Sequence, residues 1–157
     1  GLVGIIGPTW LADTHWAMPA LILISLWNIG ATMVIFLAGL QGVPQHLYEA
    51  AVIDGAGWWA KTRHVTVPML TPTILLTAVL GVIGSFQVFD NAFIITNGGP
   101  ANATLVYILL LYRNAFQYFK MGYASAMAWV LFIIILAVTL TQLRLSRTWV
   151  YYEAERR

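Results

Sequence analysis

Three long stretches of this chain carry no charge at all. No Asp, Glu, Lys or Arg occurs between Asp13 and Glu49, between Arg63 and Asp90, or between Lys120 and Arg144. Each gap is longer than the ~20 apolar residues that cross a ~30 Å hydrocarbon core as a helix. A sequence that is 60% hydrophobic and 9% charged has too little polar surface to cover a water-soluble domain, where about a quarter of residues are charged. The expected fold is therefore all-α and polytopic, embedded in a lipid bilayer, because a helix satisfies its backbone polar groups within itself.

Three spanning helices are legible, at about 16–40, 70–96 and 123–143. Pro19 falls early in the first, where a missing donor costs little. The second opens at Thr71-Pro72-Thr73 and stops before Asn97-Gly98-Gly99-Pro100, a strong turn signal. Between the second and third spans, residues 101–120 are amphipathic and aromatic (Tyr107, Tyr112, Phe116, Tyr118, Phe119) and read as an interfacial helix. Asn102-Ala103-Thr104 matches a glycosylation acceptor, but so short a match is frequent by chance.

Orientation follows from the basic residues. Lys61 and Arg63 lie in the loop after the first span, and Arg144, Arg147, Arg156 and Arg157 follow the third. With three spans these regions share one side, which holds six of the eight basic residues and is expected to be cytoplasmic. Loop 41–69 and the C-terminus would then face the cytoplasm, and 1–15 and 97–120 the outside. A net charge of +2 with scattered basic residues gives no nucleic-acid footprint. Cysteine is absent, which excludes disulfides and thiolate metal sites. The start at Gly1, without a signal segment, suggests a chain entered partway through a larger protein.

The 41–69 loop is more than a connector. Leu47, Ala50, Ala51 and Asp54 recur at helical spacing, so Gln45 to Asp54 is expected as a short helix with that face apolar and small. Gly55 and Gly57 break it, by a left-handed turn or to permit close backbone approach. A second short helix, Trp58 to Thr66, leads to Pro68 and the next span. Two arms of ~15 Å have too little surface to fold alone and need a surface to lie against. Small residues permit that approach, and Glu49 and Asp54 offer acceptors to basic or backbone donors.

Glu49-Ala50-Ala51-x-x-Asp54-Gly55-Ala56-Gly57, followed by Val67-Pro68, resembles the EAA loop of binding-protein-dependent ABC importer permeases. Pro44-x-x-Leu47-Tyr48, Phe86-x-x-Phe89-Asp90, Thr96-Asn97-Gly98-Gly99-Pro100 and Met121-Gly122-Tyr123-Ala124-Ser125-Ala126 through Arg147-x-Trp149-Val150 extend the likeness to the sugar-importing branch. It covers roughly Leu11 to Glu153. Thr62 and Val67 depart from it, standing where Phe and Leu are usual. The resemblance implies a MetI-like permease fold, of which residues 1–157 are the C-terminal part of a single transmembrane domain lacking about three N-terminal spans.

It also implies partners: cytoplasmic ATPase subunits, a second permease subunit and an extracytoplasmic solute-binding protein, in the plasma (inner) membrane of a prokaryote. The ATPase would dock on Glu49, Ala50, Ala51, Asp54, Gly55 and Gly57. The chain would have no catalytic activity and no cofactor of its own, ATP being used by the partner. No G-x-x-x-x-G-K-[ST] phosphate loop occurs in it.

Polar residues inside spans are costly and mark a candidate pathway. Thr77, Gly81, Ser85 and Val88 follow one helical stripe, with Gln87, Asp90 and Asn91 beside it. If the second span is centred near Ile83, Asp90 lies ~10 Å outward, at the mouth of a pathway or paired with Arg113 or Lys120. On polarity the pathway candidates are Asn28, Ser85, Gln87 and Asp90, and the resemblance implies substrate contacts near Asn28, Thr32, Ser85 and Val88; Asn, Gln and Ser suit a hydroxyl-rich solute because they both donate and accept. Ser25, Thr77 and Gly81 read as helix-packing positions instead.

Two other classes compete. A membrane enzyme would have to use His15, His46 and His64, but His15 falls on the opposite side and the other two have no metal-pair spacing. A secondary transporter with a broken helix would tolerate the glycines of the second span, yet would leave the 44–68 loop without a role.

Overall fold

The computed structural model describes residues 9–150, so the expectations for the first eight residues and for Arg156 and Arg157 lie outside the described residues. The described elements are helical: α1 (Ala17–Ser25), a 3-10 turn (Leu26–Asn28), α2 (Ile29–Gln41), α3 (Gln45–Ile53), α4 (Trp58–Lys61), a π turn (Thr62–Thr66), α5 (Val67–Phe86), a π turn (Ala92–Thr96), α6 (Tyr107–Tyr112), a π turn (Arg113–Gln117) and α7 (Met121–Ser146). Among the described residues three helical runs are long and apolar enough to cross a membrane: Ala17–Gln41, Trp58–Phe86 and Met121–Ser146.

The first run begins where expected. Asp13 accepts from the backbone N–H of His15 at 2.8 Å, and its carbonyl accepts from Ala17 N–H at 2.9 Å, so the chain enters the helix through a short turn. Pro19 occupies the first turn, where no intrahelical donor is needed. The run is not uniform, however. The Ser25 hydroxyl donates to the Ile22 carbonyl at 2.7 Å, and the next three residues tighten to 3-10 geometry.

The second run departs from the expected 70–96 at both ends. It begins at Trp58, so the second arm of the loop is the leading end of the spanning helix rather than a separate piece. Two prolines are absorbed. Pro72 cannot donate to the Pro68 carbonyl, and the Thr71 hydroxyl does so instead at 2.6 Å. Ahead of Pro68, the π turn places Val67 N–H on the Thr62 carbonyl, a five-residue step that eases the chain past the missing donor. At the other end the helix closes at Phe86, with Gln87 N–H on the Gly84 carbonyl at 3.1 Å, and restarts from Phe89.

Tertiary packing explains that early stop. One compact unit comprises Gly1–Ile29 and Gly84–Leu136. In it Leu21, Ala92 and Leu109 form a buried core, with Phe89, Phe93, Leu105, Val106 and Tyr112 packed around them. Phe89 stacks on Phe93 with centroids 5.1 Å apart, and both meet the Tyr112 ring at 5.2 and 5.3 Å. A helix running straight to Thr96 would have to forgo this burial. The Tyr107 hydroxyl also donates to the Met127 carbonyl of α7 at 2.9 Å.

The expected interfacial helix over 101–120 is shorter. Residues 97–106 form an ordered turn, and helix occupies only Tyr107–Tyr112 and its π extension Arg113–Gln117. Thr104 is fully buried; its hydroxyl lies 2.6 Å from that of Thr96 and donates to the Gly99 carbonyl at 2.7 Å. Arg113 donates to the Asn97 carbonyl at 2.6 Å.

The other compact unit comprises Gly30–Ile83 and Ala137–Arg157. In it Gly39 of α2 approaches Thr73 of α5 closely. A Cβ at Gly39 would lie 2.7 Å from Thr73 Oγ1 and 3.1 Å from Leu70 Cδ2. Close approach through a glycine is how helices pack where lipid supplies no hydrophobic drive between them.

Candidate functional site

The loop site is assembled from α3, the turn after it and α4. α3 starts after Pro44, whose extended backbone (ψ 130°) sets the entry. It ends at Asp54 in a Schellman stop: Gly55 N–H bonds the Val52 carbonyl at 3.0 Å and Ala56 N–H the Ala51 carbonyl at 2.9 Å. Gly55 takes φ +74°, the left-handed conformation that favours glycine. Gly57 does not. Its φ of −69° and ψ of 175° suit any residue, and a Cβ there would meet nothing within 4 Å. The two glycines therefore differ: the turn itself requires only Gly55.

The structure also reorders the faces of α3. Leu47, Tyr48 and Ala51 are partly buried, whereas Glu49, Ala50, Val52, Ile53 and Asp54 are exposed, Ile53 to 86%. The expected face of Leu47, Ala50, Ala51 and Asp54 is thus split between inside and outside. The cause is the Tyr48 hydroxyl, 2.9 Å from the Thr66 hydroxyl at the end of the π turn. That contact sets the rotation of α3, and Leu47 follows it into a cavity shared with His64, Val65, Pro68 and Met69. Trp58 and Trp59 stand exposed at 75% and 66%, rings tilted 44° and 6.0 Å apart. Thr62, one of the two departures from the sequence pattern, donates its hydroxyl to the Trp58 carbonyl at 3.0 Å and does not bridge to α3.

Exposed together on this loop are therefore two carboxylates, Glu49 and Asp54, and four large apolar side chains, Val52, Ile53, Trp58 and Trp59. Such a surface can seat against a protein groove, with apolar anchors at its centre and charge-assisted contacts at its edge. Sequence reasoning picked out Glu49, Ala50, Ala51, Asp54, Gly55 and Gly57. It missed the four apolar residues, whose exposure follows from the rotation of α3 and from the turn before α4.

The pathway candidates are distributed as follows. Asn28 is exposed at the end of the 3-10 turn, and Ser85, Gln87, Val88 and Asp90 are exposed in the same compact unit. Thr32 is half-buried in the other unit. The stripe of Thr77, Gly81 and Ser85 does not continue to Val88, because the helix has ended at Phe86 and Gln87 lies in a turn. Arg113 is engaged by the Asn97 carbonyl, not by Asp90. Both irregular points, Leu26–Asn28 and 87–89, coincide with pathway candidates. Among the described residues no group of three or more His, Cys, Asp or Glu side chains is placed to hold a metal.

The sequence model of a family described as "binding-protein-dependent transport system inner membrane component" matches residues 2–150. A Bacillus subtilis (strain 168) protein, the probable ABC transporter permease protein YesP, is 44% identical over 148 residues, covering 93% of this chain and 48% of that protein. The arabinooligosaccharides transport system permease protein AraP of the same strain is 38% identical over 146 residues, covering 92% and 47% respectively. A crystal structure of a bacterial ABC transporter involved in the import of the acidic polysaccharide alginate contains a chain of the same fold, with a TM-score of 0.80 at 24% identity, over 94% of this chain and 52% of that one. The present chain thus spans about half the length of these relatives.

Proposed function

The chain belongs to the family of binding-protein-dependent transport system inner membrane components, and from that premise we propose that it is part of a permease subunit that couples solute import to a separate ATPase. The observation that carries the reading is the exposed, internally braced loop: α3 is held to the second spanning helix by Tyr48 and Thr66, and its outer surface is left uncovered.

In this reading an ATPase subunit seats on Glu49, Ala50, Ala51, Asp54, Gly55 and Gly57 together with Ile53 and Trp58. Gly57 supports it specifically, since no conformational or steric demand within the chain calls for glycine there. A side chain absent without internal reason leaves room for an external surface. When the ATPase pair closes on ATP, α3 is carried with it, and the hydroxyl bridge passes the displacement to a helical run that begins at Trp58 and also carries Ser85. Hydrolysis belongs to the ATPase, and this chain needs no cofactor.

The solute is a carbohydrate. The similarity to a permease named for arabinooligosaccharides supports that class, as do the amide and hydroxyl groups of Asn28, Thr32, Ser85 and Gln87, which both donate and accept. Val88 and Asp90 complete the proposed lining. A second permease subunit forms the other wall, and a solute-binding protein delivers to the outer face. Loop 41–69 and the C-terminus lie on the cytoplasmic side, with residues 1–157 forming the C-terminal part of one transmembrane domain.

The test is a pull-down of the ATPase subunit by the full-length permease, paired with sugar uptake in cells. Glu49→Lys with Gly57→Asp should abolish both while the protein still reaches the membrane. An unchanged ATPase yield with unchanged uptake would overturn the reading.

A further inference from the structure

We propose that the cytoplasmic end of the second spanning helix carries a binding site for the phosphodiester headgroup of an anionic phospholipid, built from Trp59, Arg63 and His64. The site is a groove of about 360 Å³ lined by these three residues with Thr62 and Val67.

The groove lies at headgroup depth. The helical run Trp58–Phe86 has 29 residues, ~43 Å at 1.5 Å each, whereas a hydrocarbon core of ~30 Å takes up ~20. The 20 residues of α5, Val67–Phe86, contain no charged side chain and fill that core. Residues 58–66 are left at headgroup level, with Val67 at the acyl boundary. Depth therefore rests on the membrane placement of this helix and on nothing about the ATPase.

The chemistry of the groove suits the same ligand. Trp59, Arg63 and Val67 follow one another along the chain and line the same groove. From the aqueous side inward the groove presents an indole N–H, a guanidinium and a methyl pair, the order in which a phospholipid presents its headgroup, phosphate and acyl chain. Trp is the residue of the membrane interface, and a guanidinium meets two phosphate oxygens at once. Among the described residues no carboxylate meets Arg63, and no acidic side chain lines the groove. The His64 ring is steadied by a 3.0 Å hydrogen bond between Nδ1 and the Ala60 carbonyl, and the Thr62 hydroxyl is taken by Trp58, so Arg63 and Trp59 supply the donors.

The test uses the full-length permease pair assembled with its ATPase, in nanodiscs of phosphatidylcholine with or without phosphatidylglycerol, with retained lipid counted by mass spectrometry after extraction. The assembled transporter should enrich phosphatidylglycerol over phosphatidylcholine. Arg63→Gln should lower that enrichment about five-fold, the scale of one basic residue at an anionic surface, and Arg63→Lys should restore most of it. Trp59→Phe, which keeps an aromatic side chain and removes the N–H, should fall between. Equal enrichment in wild type and Arg63→Gln would overturn the proposal. So would displacement of the lipid by soluble glycerol phosphate, or enrichment seen only without the ATPase, which would mean that the partner covers the groove. Glu49→Lys with Gly57→Asp should leave lipid enrichment unchanged, so failure of ATPase docking and failure of lipid binding are read separately.

Discussion

The hydroxyls of Tyr48 and Thr66 lie 2.9 Å apart, joining two residues eighteen positions apart in the chain. Through this contact the first arm of the loop becomes part of the second spanning helix. Without it α3 would be a nine-residue helix, too short to hold itself in water. The bridge is partly buried, so neither hydroxyl recovers a full water shell when the other is removed.

Tyr48→Phe and Thr66→Val should therefore each destabilise by about 0.5–1.5 kcal/mol. Their effects should be strongly non-additive in a double-mutant cycle, because both remove the same bond. Thermal melting of the purified permease checks the energies. ATP-driven uptake should fall further than the melting shift accounts for, if α3 moves with the helix.

Gly55 and Gly57 should respond oppositely to alanine. Gly55→Ala forces a Cβ into a left-handed conformation at about 1–2 kcal/mol. Gly57→Ala meets no clash and an ordinary backbone, so stability should hold or rise by a few tenths of a kcal/mol. ATPase pull-down should nonetheless weaken for Gly57→Ala. A stable variant with full ATPase binding would show that the surface near Gly57 is not where the partner sits.

Gly39→Ala should cost about 1–3 kcal/mol, since the added methyl lies 2.7 Å from Thr73 Oγ1 and the helices must part. Thr73→Ala in the same protein should recover most of that loss. A Gly39→Ala protein with an unchanged melting temperature would mean that α2 and α5 do not approach this closely.

Thr104→Val keeps the shape and deletes the hydroxyl that joins Thr96 to the Gly99 carbonyl. Thr104 is fully buried, so the stranded partners should cost about 1–3 kcal/mol. Hydrogen exchange should locate the damage, rising first at the amides of Gly98, Gly99 and Thr104 while those of α7 stay protected.

The number of spanning helices was legible because charge is so costly in hydrocarbon that three gaps in the charge pattern suffice. The stop after α3 was legible for a similar reason. The turn needs φ > 0, and glycine takes it without penalty, so Gly55 announces itself. Gly57 looked equivalent in sequence and proved otherwise in backbone angles.

The second spanning helix shows why the rest was not legible. Its apolar run from Leu70 to Thr96 has no internal breaker between Pro72 and Asn97 apart from two glycines, so local propensity favours continuation. The break at 87–89 exists because Phe89, Ala92 and Phe93 gain more by packing on Leu21, Leu109 and Tyr112 than the helix loses in two or three hydrogen bonds. At the other end, Pro68 reads as a boundary, yet a π turn before it and the Thr71 hydroxyl after it let the helix run through.

By itself, then, the sequence determined that the described residues hold three helices able to span a membrane and a loop stopped at Gly55, because desolvation of charge and backbone sterics act residue by residue. Only the tertiary structure decided which face of α3 looks outward, where the second helix breaks and how closely Gly39 meets Thr73. Those outcomes depend on contacts between residues far apart in the chain, whose energies no local pattern contains.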